Sequence, residues 1–463
     1  MQKGRSIGVF PLAMINVAAI CNIKNFPLTA EYGLASLFFF TLAALIYFIP
    51  VSLISAELAT GWPERGVYQW VTVAMGKRMG FLAIWLQWIE NIIWYPTVLS
   101  FIAATFAYIF NPSLATNQTY IFLVVIISFW MMTFVNFLGM KASGFVSTIS
   151  ALFGTILPGA LIILLGFIWM AKGNPSHISF EAKNLFPDLS SINEIAILAG
   201  VLLSFAGMEM SAVHAKEVDN PKKNYPKAIF LSASIILILY TIGSLSIGIV
   251  VPKGEIELAS GSIEAFRKFF DAFNISWAVP IVATIMTIGG LGMIGTWIVG
   301  PSKGVYASAL DGELPPVFQK TNKRKMPTSL MIFQAVVVSI LSTVFLFMPD
   351  VSSSYWILID LTAQLYLIMY IQLFLAGIIL RYKHPDVKRS YRVPLGNKGM
   401  WTVGIIGICG AVFTIIVGFF PPSNLAGSTL PVYESFLIGG IVLFCAIPLL
   451  IHYFKKESWK SLK

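Results

Sequence analysis

The sequence predicts an all-α polytopic membrane protein with twelve transmembrane helices. Composition is the first reason. Of 463 residues, 57% are hydrophobic and only 11% charged, and the mean hydropathy is +0.80. A soluble domain needs a polar surface and ordinarily carries about 25% charged residues, so lipid must be the solvent for much of this chain. The second reason is a succession of apolar runs of the roughly 20 residues that a bilayer requires. The third is that the basic residues collect in alternate connections between those runs. The net charge of +10 therefore marks one face of a membrane protein and not a nucleic-acid surface.

The runs lie at about 7–29, 34–58, 79–110, 119–139, 144–171, 193–214, 228–251, 277–307, 328–348, 354–381, 400–420 and 433–454, ending where Pro, Gly and charges interrupt them. They are numbered here as segments 1 to 12. Segment 1 follows Lys3 and Arg5 as a signal peptide would, but no clear small-residue cleavage site follows it, so it reads as a retained helix. With both termini cytoplasmic, Lys172, Lys183, Lys253, Arg267 and Lys268 fall outside and Lys24 within the membrane. That leaves 25 of the 31 Lys and Arg on the cytoplasmic side, as the positive-inside rule requires. The richest of these loops are 381–399 and 320–325. A multi-pass inner (plasma) membrane location follows. The longest outer connections, near 172–192 and 252–276, are too short to bury a core, so 1–463 reads as one transmembrane domain.

Two segments are interrupted. Segment 1 holds Ala19-Ile20-Cys21-Asn22-Ile23-Lys24-Asn25-Phe26-Pro27, and segment 6 holds Ser204-Phe205-Ala206-Gly207-Met208-Glu209. Unpaired backbone is not tolerated against lipid, so a broken helix is expected to line a cavity. The breaks lie five segments apart, and an odd-numbered repeat inserts with inverted topology; matched breaks of this kind point to a transporter's binding site. Freed N–H groups at one half-helix can hold a carboxylate, and freed carbonyls at another can hold an ammonium or a cation. One site thus suits both ends of a zwitterion.

Intramembrane charge is costly, about 2.5–3.5 kcal/mol near the bilayer centre, which singles out Lys24 and Glu209. Either they pair across the bundle, or Lys24 holds a substrate carboxylate while Glu209 handles a proton; both are candidates for proton coupling. Glu90 and Asp360 are shallower candidates, whereas Glu57 and Lys303 near helix ends are expected to cap or snorkel. Tyr366 and Tyr370 are four apart and share a helix face, suited either to closing over a substrate or to packing. Trp85, Trp88, Trp94 and Tyr95 read as interfacial or packing aromatics, and His214 as a structural histidine. Cys21, Cys409 and Cys445 have no metal-ligand spacing, and the four histidines, at 177, 214, 384 and 452, form no ligand cluster. Neither cofactor, metal nor enzymatic activity is expected.

The run Phe205-Ala206-Gly207-Met208-Glu209, then Glu217-Val218-Asp219-Asn220-Pro221 and Tyr225-Pro226-Lys227-Ala228, resembles the sixth-helix signature of the amino acid–polyamine–organocation (APC) superfamily. Glu57-Leu58-Ala59 with Trp62-Pro63-Glu64-Arg65-Gly66-Val67-Tyr68 resembles the loop after its second helix. Gly300-Pro301-Ser302-Lys303-Gly304 with Asp311-Gly312-Glu313-Leu314-Pro315-Pro316 resembles the end of its eighth. Within that superfamily, Phe48-Ile49-Pro50-Val51, Trp297-Ile298-Val299-Gly300-Pro301-Ser302 and the Tyr366/Tyr370 pair are most similar to the bacterial glutamate/γ-aminobutyrate antiporters.

The resemblance implies a LeuT-like fold of two inverted five-helix repeats (about 7–171 and 193–381) with segments 11 and 12 (about 400–454) added. It also implies alternating access and exchange of amino acids. Where the antiporter group has a tyrosine- and glutamate-bearing stretch, this chain has Asn22-Ile23-Lys24-Asn25-Phe26-Pro27. The expected substrate-binding set is Ala19, Cys21, Asn22, Ile23, Lys24, Phe205, Ala206, Gly207, Glu209, Tyr366 and Tyr370. Glutamate or a related acid exchanged for γ-aminobutyrate or another amino acid is the leading function. The alternatives are proton-coupled uptake of neutral amino acids and a transporter-like nutrient sensor. The expected partners are an amino acid and the bilayer, with the chain a monomer or homodimer.

Overall fold

The structure is a computed structural model that describes residues 8–139, 152–188, 190, 192–211, 218–422 and 430–460. Its regular structure is helical. Among the described residues ten helices are long and apolar enough to cross a membrane: Ala35–Gly61, Lys77–Ala107, Gln118–Asn136, Leu152–Ala171, Lys222–Val250, Ser276–Leu310, Thr328–Phe347, Val351–Lys383, Gly396–Gly418 and Pro431–Tyr453. These are segments 2 to 5 and 7 to 12. Twelve uninterrupted spans were not expected, and the two that fall short are segments 1 and 6. Segment 1 is divided into Val9–Ile20, a short turn at Ile23–Asn25 and Pro27–Ala30. Segment 6 is divided into Leu198–Ser204 and Met208–Ser211.

Local chemistry explains where the long helices start and how they tolerate proline. The Asp350 side chain accepts from the Ser353 amide at 2.6 Å at the head of segment 10, and Arg381 and Lys383 occupy its last turn, so both ends suit the helix dipole. Asn117 caps segment 4 by accepting from the Tyr120 amide at 2.9 Å. Pro301 interrupts segment 8 and cannot donate to the carbonyl four residues earlier. That carbonyl, of Trp297, accepts instead from the Tyr95 hydroxyl at 2.8 Å.

Segments 3 and 10 form the centre. Segment 3 is 89% buried over its apolar window and segment 10 78%, against 17% for segment 12. On the outer helices Phe230, Ile127, Phe167 and Val442 are well exposed, as lipid-facing side chains should be. The connections meet in two groups, which fixes the alternation of ends. At one end Arg65 pairs with Asp311, Arg381 with Glu57, and Lys455 with Glu313. At the other the Gln118 amide donates to Met348 O, the His177 N–H to Ile249 O and the Gly254 N–H to Glu31. The first group is the basic end anticipated from the charge pattern.

Two amphipathic helices lie outside that pattern. Gly66–Met75 sits at the basic end between segments 2 and 3. Gly261–Ala272, at the opposite end, buries Ile263, Phe266, Phe269 and Phe270, and from it the Ser262 hydroxyl donates to Ile23 O at 2.9 Å. This helix therefore closes onto the break in segment 1.

Candidate functional site

The first break begins where Val9–Ile20 ends, with Cys21 already extended. Ala19 contributes the last helical turn. Asn22 turns the chain by accepting from the Lys24 amide on its own side chain at 3.1 Å, an Asx-type bond that competes with the helix ladder. Its Nδ2 faces Met293 Sδ at 3.2 Å. Proline at position 27 then restarts the helix, fitting the first-turn position where no N–H is needed.

The second break is Phe205-Ala206-Gly207. The Phe205 and Ala206 amides fold back on Leu202 and Leu203 carbonyls as a tight turn. Gly207 has φ +110, a conformation that side-chain-bearing residues avoid, and a Cβ there would stand 3.5 Å from the Trp297 ring. Glycine is required here by backbone geometry, since a Cβ at that distance would make only an ordinary contact.

A residue absent from the expected set joins the two breaks. Tyr240 of segment 7 is fully buried, and its hydroxyl lies 2.8 Å from Ile20 O and 3.0 Å from Ser204 O, the terminal carbonyls of both half-helices. The same oxygen accepts from the Asn22 amide at 3.3 Å and Asn25 Nδ2 at 3.1 Å. Its ring packs on Phe205 and Phe40. In sequence it is one aromatic in an apolar helix and carries no signal.

Glu209 heads the second half of segment 6. Its two oxygens accept from the Tyr366 and Tyr370 hydroxyls, and Oε1 also accepts from Gln87 Nε2 at 3.0 Å. The Tyr370 oxygen faces the Gly207 amide at 3.4 Å, so the pair seen in the sequence is tied to the break. Tyr47, in a π-helical turn at Ala44–Phe48, packs edge-on against Tyr370 at 5.0 Å. Neither Gln87 nor Tyr47 was anticipated. The π-turn that carries Tyr47 is of a kind that often accompanies functional sites, but it is seen in the structure and not in the sequence.

Lys24 stands apart from this cluster. Its Nζ lies 3.5 Å from the Tyr355 hydroxyl and over the Trp94 and Tyr355 rings at 5.5 and 5.6 Å. Lys24 is 3% exposed and Glu209 3%, and among the described residues neither forms an ion pair with the other. The pairing of Lys24 with Glu209 is thus not what the structure shows. Tyr355 and Tyr366 are eleven residues apart on one helix, about 16 Å along its axis, so the two charges are anchored at different depths. Cys21, Asn22, Ile23, Phe205, Tyr366 and Tyr370 are all buried and Ala206 is half-buried.

The remaining candidates resolve as follows. Glu57 neither caps nor snorkels: it is buried, bound through both oxygens by Arg381 at 2.6 Å each, accepts the Val393 amide at 2.7 Å, and lies 3.5 Å from Arg389. Loop 384–395 folds back over the helix end and excludes the water a snorkelling chain would reach. Burial pushes the Arg389 guanidinium below its ordinary value while Glu57 pulls it back up. Trp85, Trp88 and Tyr95 pack inside, with indole N–H groups on Phe444 O and Gln334, while Trp94 belongs to the Lys24 pocket. Glu90 accepts from Asn91, and Asp360 sits with Tyr433 and Gln364 away from both breaks. Lys303 is half-buried, and His214 and Glu217 lie outside the described residues. Among the described residues no group of three or more His, Cys, Asp or Glu could hold a metal.

Broken helices, a bridging tyrosine and two separately housed charges set buried polar groups around the two breaks. The amino acid permease family profile matches residues 7–444. The chain belongs to that family. It is thus a secondary transporter of the APC superfamily, a multi-pass membrane protein and not an enzyme. Among its relatives, an uncharacterized transporter of Legionella pneumophila is 44% identical over 96% of this chain and 95% of its own. A glutamate/gamma-aminobutyrate antiporter of Lactococcus lactis is 30% identical over 97% of this chain and 90% of its own. A probable agmatine/putrescine antiporter of the same species is 24% identical over 84% and 83%. This permease is therefore similar both to an antiporter named for glutamate and γ-aminobutyrate and to one named for agmatine and putrescine.

Proposed function

We propose that this permease exchanges glutamate or a related acidic amino acid for γ-aminobutyrate or another amino acid, by alternating access at the two breaks. The observation that carries the choice of an acid is Lys24, buried and faced by the Tyr355 phenol and the Trp94 and Tyr355 rings, with no ion pair among the described residues. A buried charge without a counter-charge is costly, and a side-chain carboxylate on the substrate supplies one. Ile20 O and Ser204 O both face the Tyr240 hydroxyl, which keeps the ends of the two half-helices side by side at the breaks. The relative 30% identical over nearly the whole chain supports exchange. In this reading segments 1 and 6 also cross, giving twelve spans in two inverted repeats, 7–171 and 193–381. The protein lies in the inner membrane, with its basic end and both termini facing the cytoplasm.

Counterflow in proteoliposomes tests this. Uptake of labelled glutamate should require an amino acid inside and ignore an imposed pH gradient; accumulation into empty vesicles driven by that gradient would establish symport instead. Lys24→Met should impair acidic substrates at least tenfold more than neutral ones. Equal loss for both removes the carboxylate role, and no transport of any amino acid overturns the reading.

A further inference from the structure

A second buried carboxylate lies outside the substrate site, between segments 10, 11 and 12. Asp360 is completely buried in segment 10. Its Oδ2 faces the Tyr433 hydroxyl at 2.6 Å and Gln364 Nε2 at 3.4 Å. Among the described residues its Oδ1 has no hydrogen-bond partner, nor has Oε1 of Gln364, one turn further along the same helix. Gly418 admits the carboxylate, since a Cβ there would lie 2.7 Å from Oδ1. Segment 11 brings no acid or base to this level; its titratable residues are Lys398, at its basic-end start, and Cys409. Segment 12 brings Tyr433 and, next in sequence, Glu434. The half-helix Leu198–Ser204, packed against segments 10 and 11, has no titratable side chain. Asp360 takes part in no ion pair among the described residues.

The surroundings accommodate this acid both with and without its proton. Tyr433 has one hydroxyl hydrogen and two acceptors in reach, Asp360 Oδ2 at 2.6 Å and Gly418 O at 3.2 Å, and it accepts from Trp356 Nε1 at 3.0 Å. With Asp360 ionised, the phenol donates to it. With Asp360 protonated, the carboxyl donates to the phenol's second lone pair and the phenol turns to Gly418 O. Gln364 fits the same exchange: turning its amide, whose O and N are assigned by their partners, offers Oε1 to a carboxyl proton. No comparable second arrangement serves Glu209, whose oxygens are held by three donors at once.

We propose that Asp360, with Tyr433 and Gln364, is a proton-binding site separate from the substrate site, and that its occupancy alters how segment 10 packs on segments 11 and 12. Segment 10 also carries Tyr355, Tyr366 and Tyr370, so a change in its seating reaches the groups around Lys24 and Glu209. The site itself does not depend on the exchange reading; its effect on transport does.

Infrared difference spectroscopy of the purified full-length protein, between acid and alkaline buffer, tests the site directly. A carboxylic acid C=O band should fade as pH rises, be lost in Asp360→Asn, and change frequency in Tyr433→Phe, which keeps the acid and removes its phenol. In counterflow, the pH dependence of exchange should flatten in Asp360→Asn while exchange itself persists. A band unchanged in Asp360→Asn, or insensitive to pH, overturns the proposal. So does a band that responds to sodium at fixed pH, which would make this a metal-cation site. Should Asp360→Asn not fold, the Tyr433→Phe frequency shift decides alone: its absence overturns the assignment. A titrating band in a protein that transports no amino acid would sink the exchange reading and leave Asp360 standing.

Discussion

At the scale of single residues, the site depends most on a hydroxyl that has no signature in the sequence. The Tyr240 hydroxyl faces the end carbonyls of both half-helices, with one hydrogen to give, and accepts from the Asn22 amide and Asn25; removing it leaves buried polar groups unpaired, at about 1–3 kcal/mol for each. Tyr240→Phe should therefore lower the thermal midpoint in detergent and slow exchange of every substrate alike. The Lys24 variant, by contrast, should change the ranking of substrates. If Tyr240→Phe left both midpoint and rate unchanged, the bridge would be incidental. Lys24 and Gly207 were legible because a charge and a flexible residue are out of place in an apolar span. Tyr240, Tyr47 and Gln87 were not, since their meaning lies wholly in partners more than a hundred residues away or on the neighbouring helix.

At the scale of elements, charge counts for as much as water allows. Glu57 is buried between Arg381 and Arg389 and ties segment 2 to segment 10 and to the loop beyond it. Glu57→Gln leaves two guanidinium groups without their carboxylate and should cost about 3–5 kcal/mol, seen as loss of the monodisperse peak after mild heating. Arg65→Ala removes a pair whose side chains are 46% and 34% exposed, and should cost no more than about 1 kcal/mol. Equal effects would contradict the burial of the Glu57 cluster. The sequence misplaced Glu57 because nearness to a basic loop reads as solvation; what desiccates it is loop 384–395, which composition describes only as polar. The long helices were easier. Their ends coincide with Asn117, Asp350 and the prolines, and local chemistry there agrees with the fold.

At the scale of the whole molecule, the candidate site is enclosed: Cys21, Asn22, Lys24, Glu209 and Tyr366 are each under one-tenth exposed. Substrate reaches such a site only if the bundle opens, through motions that take microseconds to milliseconds. Cys21 reports this. In a background with Cys409 and Cys445 replaced by Ser, a permeant maleimide should label Cys21 slowly, and saturating substrate should change the rate several-fold. Rapid labelling indifferent to substrate would show the pocket to be open at rest. Composition and periodicity reached the membrane, the ten long apolar helices among the twelve expected runs, and the two breaks. They did not reach the amphipathic helices Gly66–Met75 and Gly261–Ala272, which belong to neither lipid nor water and have the composition of loops.

The fit of Phe26 beside the first break has an evolutionary consequence. Its ring would lie 2.3 Å from a Cβ on Gly243, occupying the space it would need, and its tip 3.5 Å from a Cβ on Gly159. Three segments thus meet at one aromatic ring, and the side-chain volumes at positions 26 and 243 are no longer independent. Relatives that enlarge one should shrink the other. Gly243→Ala alone should abolish exchange, and adding Phe26→Leu should restore a measurable part of it; failure of that rescue, with both proteins folded, would show that the two positions are free to drift apart.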